Sequence, residues 1–267
     1  MRLLISDHCS WLLPTLLFAA FVVGCASGSS ALPGTVVDLT YPFDRQTIYW
    51  PGNKTFTWER QHWGMIAEGY WYASGSFAAS EHGGTHLDAP IHFAPYGRRV
   101  HEIPPDQFIG PAVVIDVRQK VRANPDYAVQ VKDLDEWEAQ YGRVPKGAVV
   151  LALTGWGARW PDRSRYLGTT TPEDPATFHF PGFSPEVVEK LVRHRHIHGI
   201  GIDTASIDTG QAQRFPVHRI ISEANLYALE NVARMEQLPP HGATLLALPM
   251  LIRNGTGAPV RILAIVP

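Results

Sequence analysis

Four side chains able to hold a metal ion fall within eleven residues of this chain. They are His82, His86, Asp88 and His92, in the run Glu81-His82-Gly83-Gly84-Thr85-His86-Leu87-Asp88-Ala89-Pro90-Ile91-His92-Phe93. All four occupy even positions, and Leu87, Ala89, Ile91 and Phe93 occupy odd ones. Successive side chains of an extended segment point to opposite faces, so the polar groups share one face and the apolar groups the other. Pro90 and the Gly83-Gly84 pair argue against a helix. The run reads as a metal-site strand with its back to the core.

Distances refine that reading. Residues four apart on a straight strand are roughly 13 Å apart, whereas ligand atoms sit only about 2 Å from a bound Zn²⁺. His82 and His86 share an ion only if the chain bends between them, and Gly83-Gly84 supplies the freedom to bend. Asp88 is one pleat beyond His86 and reaches the same ion. His92 lies past Pro90 and is the candidate general base facing the substrate.

The two cysteines, Cys9 and Cys25, both lie near the N-terminus. The rest of the chain therefore has no thiolate ligand and no internal disulfide. A metal there must be held by histidine and carboxylate, which suits Zn²⁺ or Mn²⁺ in an open catalytic site.

The run resembles the His-x-Gly-Thr-His-x-Asp-x-Pro-x-His signature of the cyclase family, which includes bacterial kynurenine formamidases and isatin hydrolases. The resemblance extends from about Val36 to the end of the chain. It implies a compact β/α/β, barrel-like domain, often a homodimer, that hydrolyses amides with one or two divalent ions. It further implies that a His and a Glu, here His218 and Glu230, complete the metal site, with Asp88 and Glu230 bridging a second ion. Read from the residues alone the signal is weak: His218 reads as a satisfied surface histidine and Glu230 as a solvated strand or helix residue. Glu223 is a competing carboxylate in a polar patch, off the family spacing. The formamidase-like proteins carry an aromatic pocket residue where this chain has Trp50; a core tryptophan at the Trp50-Pro51-Gly52 turn is the equal alternative.

The elements that must position these groups are legible in outline. Thr35 to Leu39, Tyr70 to Phe77, Pro111 to Val117, Ala148 to Thr154, His198 to Asp203, Ala243 to Leu248 and Val260 to Val266 read as strands. The apolar runs at 111–117 and 148–154 suit buried strands. Val131 to Tyr141 has helical spacing. Ser184-Pro185-Glu186 is a helix start, an N-cap followed by Pro at N1, for a helix running to about Arg195. His194, His196 and His198 lie at that helix's end, where cations suit the dipole, and are read as non-catalytic. Trp156 to Phe183 is irregular and reads as a lid or rim. Asp203 to Asp208 is either a plain turn or support that orients a ligand histidine. Asn254 to Pro259 reads as a Gly-rich hairpin. Trp63, Trp71, Trp156 and Trp160 are further candidates for pocket walls. The expected fold is α/β, one compact domain (residues 36–267) with a mixed sheet and few helices.

The N-terminus is a targeting segment. Arg2 precedes an apolar stretch, Trp11 to Val23, too short to span a bilayer comfortably. Val22-Val23-Gly24-Cys25 resembles the lipobox of bacterial lipoproteins, which makes residues 1–24 a signal peptide, Cys25 the lipid attachment site and residues 25–35 a tether. The expected address is an exported lipoprotein, periplasmic or on the outer surface. A secretory signal cut near Ala26-Ser27 and an uncleaved anchor are the alternatives.

The formal net charge of −2 gives no sign of a nucleic-acid partner. No Gly-x-Ser-x-Gly elbow, Walker A motif or dinucleotide fingerprint occurs. The expected function is metal-dependent hydrolysis of an amide, either an aryl formamide or a cyclic amide such as isatin. An exported chain fits the cytoplasmic tryptophan breakdown served by kynurenine formamidases poorly, which counts against N-formylkynurenine as the substrate and makes an isatin-like or other cyclic amide or ester the nearest enzyme alternative. The alternative is a metal- or solute-binding lipoprotein without catalysis. His92 discriminates, because a pure binder needs no extra imidazole.

Overall fold

The computed structural model describes residues 34–267, so the signal segment, Cys25 and most of the tether lie outside the described residues. Twelve strands follow in chain order: β1 Thr35–Asp38, β2 Thr57–Met65, β3 Trp71–Ala78, β4 His86–Asp88, β5 Ile109–Asp116, β6 Ala128–Val129, β7 Val149–Leu153, β8 Gly182–Phe183, β9 Gly199–Ile202, β10 Tyr227–Glu230, β11 Thr244–Pro249 and β12 Gly257–Val266. The α-helices are α1 Arg118–Ala123, α2 Val131–Tyr141, α3 Arg163–Leu167, α4 Pro185–Arg195 and α5 Pro216–Glu223. Among the described residues no helix is long and apolar enough to cross a membrane.

The main sheet runs β1-β12-β11-β5-β7-β9-β10-β4, and β4 also pairs with β12. Strands β12 to β4 therefore close into a seven-membered ring, with β1 added outside β12. β5, β7, β9 and β10 are parallel, and the remaining pairings are antiparallel. The fold is the expected mixed, barrel-like α/β domain.

Strand composition follows from burial. In β7, Val149, Leu151 and Leu153 join one apolar cluster, with Leu87, Leu229, Leu245, Val260 and Ile262. Val150 and Ala152 point the other way, into a second cluster with Leu134 and Trp137 of α2, Val187 and Leu191 of α4, and Ile221 of α5. A strand covered on both faces has no polar position to spare, hence Val-Val-Leu-Ala-Leu. β12 is covered on one side only. Ala258, Val260, Ile262 and Ala264 are buried, while Arg261 between them is exposed.

Helices α2 and α4 occupy the spans expected from spacing. Ser184 Oγ accepts a hydrogen bond from the Val187 amide at the start of α4. His196 ends that helix in the left-handed region.

The segment from Trp156 to Phe183 differs from the expected lid or rim. It contains α3 and two 3₁₀ turns, and it buries Trp156, Tyr166, Leu167, Phe178 and Phe180 completely or nearly so. Its Gly, Pro and charge content describes the turns, while its aromatics build the second core cluster. β2 is an additional strand. It pairs with β3 in a two-stranded hairpin that joins no other sheet.

Candidate metal centre

The centre lies where β4, β10, β12 and the start of α5 meet. The expected strand through residues 82–92 is realised only over His86–Asp88. Gly84 bends the chain before it, with φ of +58°, and a Cβ there would strike the Phe43 ring. After it, Pro90–His92 forms a 3₁₀ turn rather than continuing extended. Leu87 points into the core, and His86 and Asp88 point away from it. The antiparallel register sets Glu230 of β10 opposite His86, on the same face.

Asp208 positions the fifth group. Its Oδ1 accepts from the Val217 amide and its Oδ2 from the His218 amide, at the start of α5. The same Oδ2 accepts from His218 Nδ1 at 2.7 Å. Of the two readings open for the Asp203–Asp208 segment, Asp208 takes the supporting one, since it orients His218.

Three imidazoles, His82, His86 and His218, converge on two buried carboxylates. His82 Nδ1 is 2.6 Å from Asp88 Oδ1. His86 Nε2 lies 3.2 Å from the same oxygen and 3.4 Å from Glu230 Oε2. His218 Nε2 lies 3.3 Å from Asp88 Oδ2 and 3.1 Å from Glu230 Oε1. Each ring has its far nitrogen against an acceptor: Gly84 O for His86, Asp208 for His218 and the Thr256 hydroxyl for His82. Each far nitrogen therefore carries a hydrogen, and each near nitrogen faces the carboxylate oxygens, where it holds a proton or gives its lone pair to a cation. Asp88 Oδ2 has no well-aligned hydrogen bond, and its nearest nitrogen is His218 Nε2 at 3.3 Å. Lone pairs of this density require a cation or protons between them, so the donor set fits a divalent metal.

Electrostatics agree. Burial opposes protonation of His86, but the charges of Asp88 and Glu230 outweigh it and lift its pKa to about 9. Burial likewise raises the Asp88 carboxyl, yet His86 and His82 override it and hold it well below the ordinary carboxylate range. Two groupings have ligand atoms close enough for one ion: His82, Asp88 and His92, and His86, Asp88 and Glu230. They share Asp88, and this partition differs from the expected His82, His86, Asp88 trio.

His92 sits over the cluster. Its ring stacks on His82, with centroids 3.8 Å apart and planes 17° from parallel. Burial pulls its pKa down to about 4, against the opposing charge of Asp88, so the ring is neutral at pH 7.

A cavity of about 260 Å³ opens onto these groups. Its lining includes His82, His86, His92, His218 and Glu230 together with the apolar Ile48, Trp50, Phe93, Ala205 and Phe215. Trp50 lines the cavity, and, half-buried, it packs edge-on against buried Phe178 at 5.1 Å. The other tryptophans are elsewhere. Trp63 and Trp71 are on the exposed hairpin, Trp156 is in the core, and Trp160 stacks on Tyr41. Glu223 is exposed at the end of α5.

The family model described as "Putative cyclase" matches residues 37–209. The chain belongs to the cyclase family. Isatin hydrolase from Roseibium aggregatum is 32% identical over 210 residues, covering 75% of this chain and 78% of that protein. Kynurenine formamidase from Geobacillus thermodenitrificans is 30% identical over 225 residues, covering 84% and 94%. The solved structure of isatin hydrolase A from Ralstonia solanacearum superposes with a TM-score of 0.80 at 36% identity, covering 97% of this chain and all of that one. This cyclase-family chain is accordingly an enzyme of the hydrolase class.

Sequence reasoning missed Phe93 and Phe215 as cavity walls and Asn231 as a brace. Asn231 Nδ2 donates to Gly84 O, the carbonyl that also holds His86 Nδ1, and its own backbone carbonyl accepts from Thr85. Phe93 ends the metal-binding run and Phe215 precedes Pro216-Val217-His218, so adjacency to ligands was the available signal.

Proposed function

We propose that the protein hydrolyses the amide bond of a small aromatic substrate, a cyclic amide of the isatin type, using a divalent ion held by His82, His86, Asp88, His218 and Glu230. The observation that carries this reading is the convergence of three imidazole lone pairs on two buried carboxylates at the floor of an aromatic-walled cavity. Zn²⁺ or Mn²⁺ suits such a nitrogen and oxygen donor set.

A divalent ion there supplies Lewis-acid polarisation of the carbonyl and lowers the pKa of water toward about 7. The chain does the rest. Trp50, Phe93 and Phe215 hold the planar ring of the substrate and exclude bulk water. His92, neutral at pH 7, accepts a proton as water oxygen attacks the amide carbon. It returns that proton to the nitrogen as the C–N bond breaks, leaving an amine and a carboxylic acid that gives its proton to solvent.

The relatives support the enzyme over a non-catalytic binder. The names and identities of the isatin hydrolases favour a cyclic amide, and the formamidases make an aryl formamide the second substrate to test. Assay of the metal-loaded and chelated protein on isatin and on an aryl formamide tests the reading. Chelator-sensitive opening of isatin is expected. Turnover that survives complete metal removal overturns the mechanism, and turnover of the formamide alone overturns the substrate.

The protein is further proposed to be an exported, lipid-anchored homodimer. An isolated two-stranded hairpin is at best marginally stable in water, and β2–β3 leaves Trp58, Trp63, Met65, Trp71 and Phe77 about half exposed. A second copy of the chain is the proposed cover. Lipid attachment rests on the lipobox-like residues before Cys25.

A further inference from the structure

The Gly255-Thr256-Gly257 segment, at the start of β12, forms the back of the metal centre. Thr256 Oγ1 lies 2.9 Å from His82 Nε2 and 2.6 Å from Glu81 Oε2. The Thr256 amide donates to the same carboxylate oxygen at 3.0 Å. A carboxylate only accepts, so the hydroxyl spends its one hydrogen on Glu81 and turns its lone pairs toward His82. His82 Nε2 then carries the ring hydrogen, and Nδ1 is left bare, 2.6 Å from Asp88 Oδ1.

The glycines make this approach possible. A Cβ on Gly257 would stand 2.5 Å from His82 Cε1 and 2.9 Å from His82 Nδ1. One on Gly255 would stand 3.2 Å from Glu81 Oε1. Strand pairing sets Gly257 opposite Asp88, which ties the segment to the ligand strand.

We infer that Glu81 and Thr256 are positioning residues of the metal centre, a carboxylate–hydroxyl–imidazole relay that fixes the tautomer and plane of His82 so that Nδ1 faces the ion. This rests on the reading of His82, His86, Asp88, His218 and Glu230 as a metal site. Without the relay, nothing holds the hydrogen on Nε2, and the ring can turn or place its hydrogen on Nδ1, where it blocks coordination. Outer partners of this kind typically change metal affinity by about 10–100-fold when removed.

The test is metal affinity, read without any assay of turnover. The full chain is stripped with chelator and titrated with Zn²⁺ or Mn²⁺ against a chromophoric chelator. Thr256→Val should weaken the ion's binding by about 10–100-fold, with an unchanged melting transition in the metal-free state. Thr256→Ser, which keeps the hydroxyl, should restore affinity to within a few-fold of wild type. Adding Glu81→Ala to Thr256→Val should cost little more, because one break already interrupts the relay. His86→Ala serves as the control for the site itself. If His86→Ala loses the ion and Thr256→Val binds it like wild type, the relay is wrong and the metal centre stands. If neither variant changes binding, the metal centre is misplaced and the relay falls with it. If a folded Thr256→Ser binds as weakly as Thr256→Val, the role is packing and the relay is overturned.

Discussion

The imidazoles of His82 and His92 are stacked face to face, 3.8 Å between centroids, although they stand ten positions apart in the chain. Two stacked rings cannot both be protonated without strong repulsion. The 3₁₀ turn at Pro90–His92 folds the chain back and creates the contact. It holds one imidazole against the carboxylates and leaves the other above it, facing the cavity.

That geometry makes His92→Ala informative. The variant should keep its metal and lose about 10²–10⁴-fold in turnover, the usual contribution of a general acid–base group. Elemental analysis and steady-state kinetics together decide it. Near-wild-type turnover removes the base role, and lost metal makes His92 a ligand, as its grouping with His82 and Asp88 allows.

His86→Ala should collapse metal content. His86 contacts both carboxylates, and its Nδ1 is locked on Gly84 O. Metal retained at full occupancy in this variant would show that the ion binds elsewhere.

Metal uptake should release protons and tighten with rising pH. In the metal-free site His86 stays protonated up to about pH 9 because of Asp88 and Glu230, against the effect of burial. Below that pH an incoming cation must displace the proton, so affinity falls as pH falls. The same shift stabilises the metal-free fold fully below about pH 6.5, the unfolded value, and that contribution is lost as pH rises through 9. Calorimetry of metal binding in two buffers of different ionisation enthalpy measures the released protons, and none released at pH 7 would contradict this.

Charged residues on the hairpin should dissociate the homodimer. Trp63 and Trp71 meet edge-on and are more than half exposed. Sedimentation should find wild type at twice the chain mass and the Trp63→Asp/Trp71→Asp variant at the chain mass. A wild-type monomer would dispose of the proposed interface.

The mature protein should begin at Cys25 and partition with membranes. One acyl chain anchors only marginally and more than one anchors stably, and bacterial lipoproteins carry several. Mass spectrometry of the mature N-terminus is the measurement. An unmodified start downstream of Cys25 leaves a soluble exported enzyme, and Cys25→Ser should be either released or left unprocessed.

How much of this was written in the chain itself depends on distance along it. His82, His86, Asp88 and His92 share one short run, so period-two alternation, the glycine bend and Pro90 were enough to mark them as one cluster able to hold a metal. Helices α2 and α4 were equally legible, since spacing and an N-cap are local properties. His218 and Glu230 could be named only by resemblance, because nothing near either residue marks it as a ligand. Only the tertiary structure brings them in. Register between β4 and β10 sets Glu230 opposite His86, and Asp208 turns His218 inward from the start of α5. The same holds for Thr256, which reads in the sequence as part of a Gly-rich hairpin, and for Phe178 and Tyr166, which read as part of a lid or rim. Burial and pairing are decided by which segments meet in space, and a residue's neighbours in sequence carry no record of partners more than a hundred positions away.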